Sequence, residues 1–178
     1  RGKRVAIPGP LTTAALLLRI ECPACVPVEV RFDRIPEAVA AGEGEAGVII
    51  HQSPLTHPDQ GLAQVLDFGE LWRDREGLPV PLGLDVVRRD LGPDLMRAVS
   101  EGFRSSIRSA FDHEDETLAY ALGFGRGLDV EKGRRFVHMY VNDLTLDMGD
   151  PGRRALTRLY EQAVAARAIE RAPAIEVI

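Results

Sequence analysis

The sequence predicts an α/β protein built on a parallel sheet, followed by a mainly helical part. Two observations carry this. The first fifty residues alternate β-prone runs with apolar helical runs, in the order strand, helix, strand, helix, strand, which gives parallel strands with helices laid across them. Beyond Gly92 the apolar residues recur at helical spacing and the β-prone runs cease.

Each element has its own signal. Residues 4–7 are a short β-prone run, and residues 12–20 form a leucine-rich helix. Val26, Val28, Val30 and Phe32 alternate at period two, so residues 26–32 are expected as a strand. Residues 35–41 make a short helix stopped by Gly42, and residues 46–50 a buried strand ending at His51. Between Ser53 and Pro81 the pattern is broken by prolines and by Gly61, Gly69 and Gly77. Strands are expected there at 64–68 and 81–88, with a helical turn at 71–75. Pro79 and Pro81 flank Val80 and force an extended path, so this stretch reads as a crossover between structural units. Leu95, Val99, Phe103, Ile107 and Phe111 then define the buried face of one helix. Further helices follow at 117–124, 130–141 and 152–167. The expected division is an α/β lobe over residues 1–85 and a mainly helical return to a second lobe over residues 86–178. Those helices need a surface to pack on. With a strand pattern starting almost at Arg1, the expectation is a longer natural protein whose earlier segment supplies that surface.

Composition excludes several function classes. The chain has 178 residues, 45% of them hydrophobic, with a net charge of −5. That charge gives no footprint for nucleic acid or an acidic membrane, and no apolar run approaches the ~20 residues needed to span a bilayer. Cys22 and Cys25 form a lone C-x-x-C. A structural zinc site needs two further ligands, and His51, His57, His113 and His138 offer no second paired spacing. The pair follows a helix, the wrong end for the dipole to activate a thiol, so it reads as a loop without chemistry and no metal is expected.

The chemistry-bearing candidates lie at strand ends. In Pro8-Gly9-Pro10-Leu11-Thr12-Thr13-Ala14 a strand runs into a helix start, where free N–H groups favour a carboxylate or phosphate. Thr12 or Thr13 can equally be a plain helix cap. His51 closes Val48-Ile49-Ile50 on the same rim, where an imidazole serves as a general base or simply bonds a loop carbonyl. Open α/β sheets bind ligands beyond the carboxyl ends of their strands. Asp67, Glu70 and Asp74 lie beside Arg73 and Arg75 and read as solvated charge. Trp72 reads as a packing residue, and Asn142 and Thr145 as organisers of a turn.

Several stretches together resemble a known family. They are Val5-Ala6-Ile7-Pro8-Gly9 running into Thr12-Thr13-Ala14; Ala46-Gly47-Val48-Ile49-Ile50-His51; and Asp67-Phe68-Gly69-Glu70-Leu71-Trp72 followed by Gly77-Leu78-Pro79-Val80-Pro81-Leu82-Gly83. With Tyr140-Val141-Asn142 and Asp147-Met148-Gly149, their order resembles the 1,4-dihydroxy-6-naphthoate synthases of the futalosine route to menaquinone. The resemblance implies a two-lobed fold like type II periplasmic binding proteins, with the first part of one lobe missing here. It also implies a cytoplasmic lyase without metal or organic cofactor, which converts cyclic dehypoxanthine futalosine to 1,4-dihydroxy-6-naphthoate and dihydroxyacetone. His51 matches the family's proposed base, and Thr13 and Ala14 its ligand pair, with Thr12 beside them. It carries no expectation of an oligomeric state. After His51 the chain departs from the family pattern at Gln52, Ser53, Pro54, Leu55 and His57. Two rivals follow: a solute-binding-like protein that holds a small carboxylate without turnover, and a chorismate dehydratase-like lyase.

Overall fold

The computed structural model describes residues 2–50, 61–124 and 129–178. Its sheet has three parallel strands in the order β2–β1–β3, with β1 at Arg4–Ile7, β2 at Val26–Glu29 and β3 at Ala46–Gly47. Val5, Ala6 and Ile7 are all buried, as a central strand covered on both faces demands. Arg4 pairs with Val26 and Ile7 with Glu29 on one side, and Ala6 with Gly47 on the other. Both outer strands are shorter than the alternation predicts. The central strand gives way to Pro8, which has no N–H to extend a ladder. The last bonds across the sheet come from Val30 N–H to the Ile7 carbonyl (3.0 Å) and from Val48 N–H to that of Ala6 (2.8 Å). The chain then enters a 3₁₀ turn at Phe32–Arg34 after β2. After β3, Val48, Ile49 and Ile50 are half-buried rather than buried.

Helix α1, Thr13–Glu21, buries Ala15, Leu17 and Leu18. One core joins Val5 and Ile7 to Ala15 and Leu18, with Cys22, Cys25, Val48 and Phe68 packed against it. Helix α2, Ile35–Ala40, comes close to β3 because residue 47 is glycine: a Cβ there would stand 2.4 Å from Ile35 Cγ2. Helix α3, Phe68–Glu76, begins where the Asp67 carboxylate accepts the Gly69 and Glu70 N–H groups and ends at Gly77 in the left-handed region. The strand expected at 64–68 is therefore replaced at its end by a capped helix. The strand expected at 81–88 is also absent, its residues belonging to no strand among the described residues. Pro81, at the start of this run, lacks the N–H donor that pairing requires. Trp72 is 1% exposed and packs with Leu17 and with Leu159 of the last helix.

The remaining helices are α4 (Pro93–Asp112), α5 (Glu114–Leu122), α6 (Val130–Tyr140), α7 (Asp143–Leu146) and α8 (Gly149–Ala165). The chain forms two compact units, Arg1–Gly83 with Arg153–Ile175, and Leu84–Gly152 with Glu176–Ile178. In the second, Gly133 lets α6 approach α5, since a Cβ there would meet Leu122 Cδ2 at 2.5 Å. The apolar face of α4 is not buried as its period suggests. Leu95 is 49% exposed and Phe103 53%, so the helix forms with its stripe largely uncovered. No helix among the described residues is long and apolar enough to cross a membrane.

Candidate functional site

The loop after β1 is built by alternating constraint and freedom. Gly9 adopts φ 146°, a conformation that favours glycine, and turns the chain off the sheet. Thr12 has extended backbone and caps α1, its hydroxyl oxygen accepting the Ala15 N–H at 3.2 Å and its proton going to the Gly9 carbonyl at 3.0 Å. Thr12 is thus the cap. Thr13 is the first helical residue, and its hydroxyl donates to the Leu82 carbonyl at 3.2 Å. The N–H groups of Thr13 and Ala14 have no intrahelical partner, because they precede the first closed turn. They remain as donors beside the positive end of the helix. Thr12, Thr13 and Ala14 are half-buried, and the neighbouring Leu11 is 99% exposed.

Parallel pairing sets the carboxyl ends of β1 and β3 on one edge of the sheet. His51, the expected base, lies outside the described residues, as do Gln52, Ser53, Pro54, Leu55 and His57.

The menaquinone biosynthesis family model matches residues 1–165. The chain is 49% identical over 164 residues to a protein of Thermus thermophilus named 1,4-dihydroxy-6-naphtoate synthase, covering 92% of this chain and 60% of that protein. It is 33% identical over 171 residues to one of the same name from Streptomyces coelicolor, covering 93% and 61%. This chain belongs to the menaquinone biosynthesis family. It spans about 60% of the length of those relatives. A crystal structure of protein AF1704 from Archaeoglobus fulgidus superimposes with a TM-score of 0.90 at 44% identity, over 94% of this chain and 64% of that one. The shared fold is mixed α/β, with a small parallel sheet and many helices.

Within this family member, the run Gly77–Gly83 is tied down at two points. The Trp72 indole N–H donates to the Pro79 carbonyl at 3.1 Å, and Leu82 receives the Thr13 hydroxyl. By residue type Trp72 reads as a packing residue and Leu82 has no mark of its own. A carbonyl acceptor leaves no trace in residue type, so neither bond was visible there.

Most other polar candidates are occupied by structural work. Asn142 caps α7 by accepting the Leu144 N–H at 3.0 Å, while the Thr145 hydroxyl accepts the Asn142 N–H and donates to the Tyr140 carbonyl. His113 Nδ1 lies 3.0 Å from the Ser109 carbonyl oxygen. His138 Nε2 lies 3.0 Å from Glu114 Oε1, which Arg134 also engages. The His138 hydrogen bond first, and Arg134 next, hold the Glu114 carboxyl below its ordinary range. No trio of His, Cys, Asp or Glu among the described residues is arranged to hold a metal ion.

Proposed function

We propose that the protein is a carbon–carbon lyase that converts cyclic dehypoxanthine futalosine to 1,4-dihydroxy-6-naphthoate and dihydroxyacetone, in a cytoplasmic route to menaquinone. The observation that carries this reading is the 49% identity to the Thermus thermophilus protein over 92% of the chain. The strand-end loop supports it from the chemical side. It offers the Thr13 and Ala14 N–H groups at a helix start, a cradle for the polar end of a small anionic substrate. In this reading the fold is of the type II periplasmic binding protein kind, in two lobes divided in sequence near residue 85.

His51 is the base of the proposed reaction. A neutral imidazole takes the proton of a hydroxyl on the spiro-fused sugar ring, and the alkoxide expels its neighbour by a retro-aldol cleavage. The three-carbon fragment leaves as dihydroxyacetone, and aromatisation of the remaining ring draws the sequence forward. One positioned base and a site shielded from water suffice for such chemistry.

The departures at Gln52, Pro54 and Leu55 favour a second reading, in which a small carboxylate is bound without turnover. Incubation of the protein, expressed from its complete gene, with cyclic dehypoxanthine futalosine separates the two. Release of dihydroxyacetone in step with substrate loss is expected. Substrate bound but recovered unchanged would favour the binding protein, and loss of enolpyruvate from chorismate the dehydratase-like lyase.

A further inference from the structure

The C-x-x-C pair, which has no chemistry when read from sequence, has a specific geometry in the fold. Cys22 ends α1, its N–H donating to the Leu18 carbonyl at 2.8 Å. The chain then closes a tight turn in which the Cys25 N–H donates to the Cys22 carbonyl at 3.0 Å. Pro23 occupies the second position of that turn, where its fixed φ is favourable. The turn is pinned from outside as well. The Ala24 carbonyl accepts the Gly2 N–H at 2.9 Å, and the Val26 N–H reaches the Lys3 carbonyl at 2.8 Å. Both side chains are half-buried against the Val5–Ile7–Ala15–Leu18 core, so both thiols lie on the same side of the turn.

We propose that Cys22 and Cys25 are a redox modification site, a dithiol that closes to an intramolecular disulfide and clips the end of α1 to the start of β2. The Cα atoms at the ends of a four-residue turn lie within ~7 Å, which is the span a disulfide bridges. The oxidant is a low-molecular-weight disulfide such as oxidised glutathione. One cysteine thiolate attacks it and releases one small thiol, leaving a mixed disulfide. The second cysteine attacks the protein sulfur of that bond and releases the other small thiol. The protein loses two protons and two electrons, and one small disulfide becomes two thiols.

Access comes through a hollow of about 280 Å³ lined by both cysteines, Leu18, Pro23, Arg19 and Arg167. The two guanidinium groups favour an anionic oxidant there. Burial first, and the neighbouring Cys25 next, push the Cys22 thiol above its ordinary range. Thiolate is therefore scarce at neutral pH, and closure should be slow there and faster as the pH rises.

The test is equilibration of the protein in glutathione buffers of graded ratio, natively and in urea, with acid quenching, alkylation and intact-mass measurement. The native protein should lose two hydrogens, form no disulfide-linked dimer, regain both thiols on reduction, and form the disulfide with a constant about tenfold or more above that in urea. By linkage the oxidised protein should then melt at a higher temperature than the reduced. Cys22→Ser and Cys25→Ser should each stop at a stable glutathione adduct. A native constant equal to or below that in urea would overturn the proposal, and so would a persistent mixed disulfide in the wild type or a disulfide-linked dimer. The wild-type comparison decides the matter even if a serine variant fails to fold.

Discussion

Thr12 and Thr13 are adjacent, and a shift of one residue in the helix start separates their roles. Thr12 spends both its lone pair and its proton on the backbone around it, bonding the Ala15 N–H and the Gly9 carbonyl. Thr12→Ala should therefore cost about 0.5–2 kcal/mol of stability. Urea unfolding reads that loss, and an unchanged midpoint would remove the capping role. Thr13 instead reaches Leu82, 69 residues away along the chain. From local sequence either residue could cap the helix, because both have a hydroxyl one or two places before the apolar run. The cap became legible only once the structure set the helix start. The Leu82 contact was never legible, since the side chain that marks a residue does not reveal where its carbonyl points. His51 was singled out by the apolar strand before it and by the family motif.

At the scale of elements, the apolar runs located the helices well and the strands less well. A helix needs only its own residues to satisfy its backbone, so period and stop signals suffice to place α1 and α2, whereas α3 starts at Phe68, inside the strand expected at 64–68. A strand needs a partner, and β2 and β3 end where β1 gives way to Pro8. What joins the helices of the first unit was also hidden. Arg75 holds Glu21 through two bonds of 2.8 and 3.1 Å, Gln162 at 2.8 Å and Glu76 at 3.0 Å, tying α1, α3 and α8 together. Arg158 adds a bond to Glu76 at 2.7 Å. The Glu76 side chain is 8% exposed, and its hydrogen bond to Arg158 first, with that to Arg75, holds its carboxyl below the ordinary range. A carboxyl lowered in the folded state stabilises fully above its unfolded value, and that contribution is lost as the pH falls through the depressed folded value. Melting temperature should accordingly decline below about pH 4.5, the ordinary glutamate value, and decline less steeply in Glu76→Gln. The same substitution at neutral pH should cost about 1.5–3 kcal/mol, in line with hydrogen bonds to charged groups. Parallel acid profiles for the two proteins would remove Glu76 from this account.

On the scale of the whole molecule, the open question was where the long helix would bury its stripe. The period at Leu95, Val99, Phe103, Ile107 and Phe111 is real, and α4 forms over it, yet Leu95 and Phe103 stay about half exposed. Periodicity tells which face is apolar and cannot tell what covers it. Contiguous exposed apolar surface of this kind binds hydrophobic dyes and promotes association. The 178-residue chain should therefore enhance the fluorescence of such a dye while folded, and Phe103→Ser should reduce the signal with little loss of melting temperature. A dye-silent monomer would contradict the exposure of this face. The central claim, the proposed lyase with His51 as its base, is tested most directly at that residue. The measurement is dihydroxyacetone release from cyclic dehypoxanthine futalosine by His51→Asn, expressed from the complete gene, beside the affinity for the same substrate. Loss of a general base costs about 10²–10⁴ in kcat, and binding should hardly change. Thr13→Val should show the opposite split, weakening binding by about 0.5–1.5 kcal/mol as the bond that anchors this loop to the Leu82 carbonyl is lost. Near-normal turnover by His51→Asn would contradict the account and turn attention to His57.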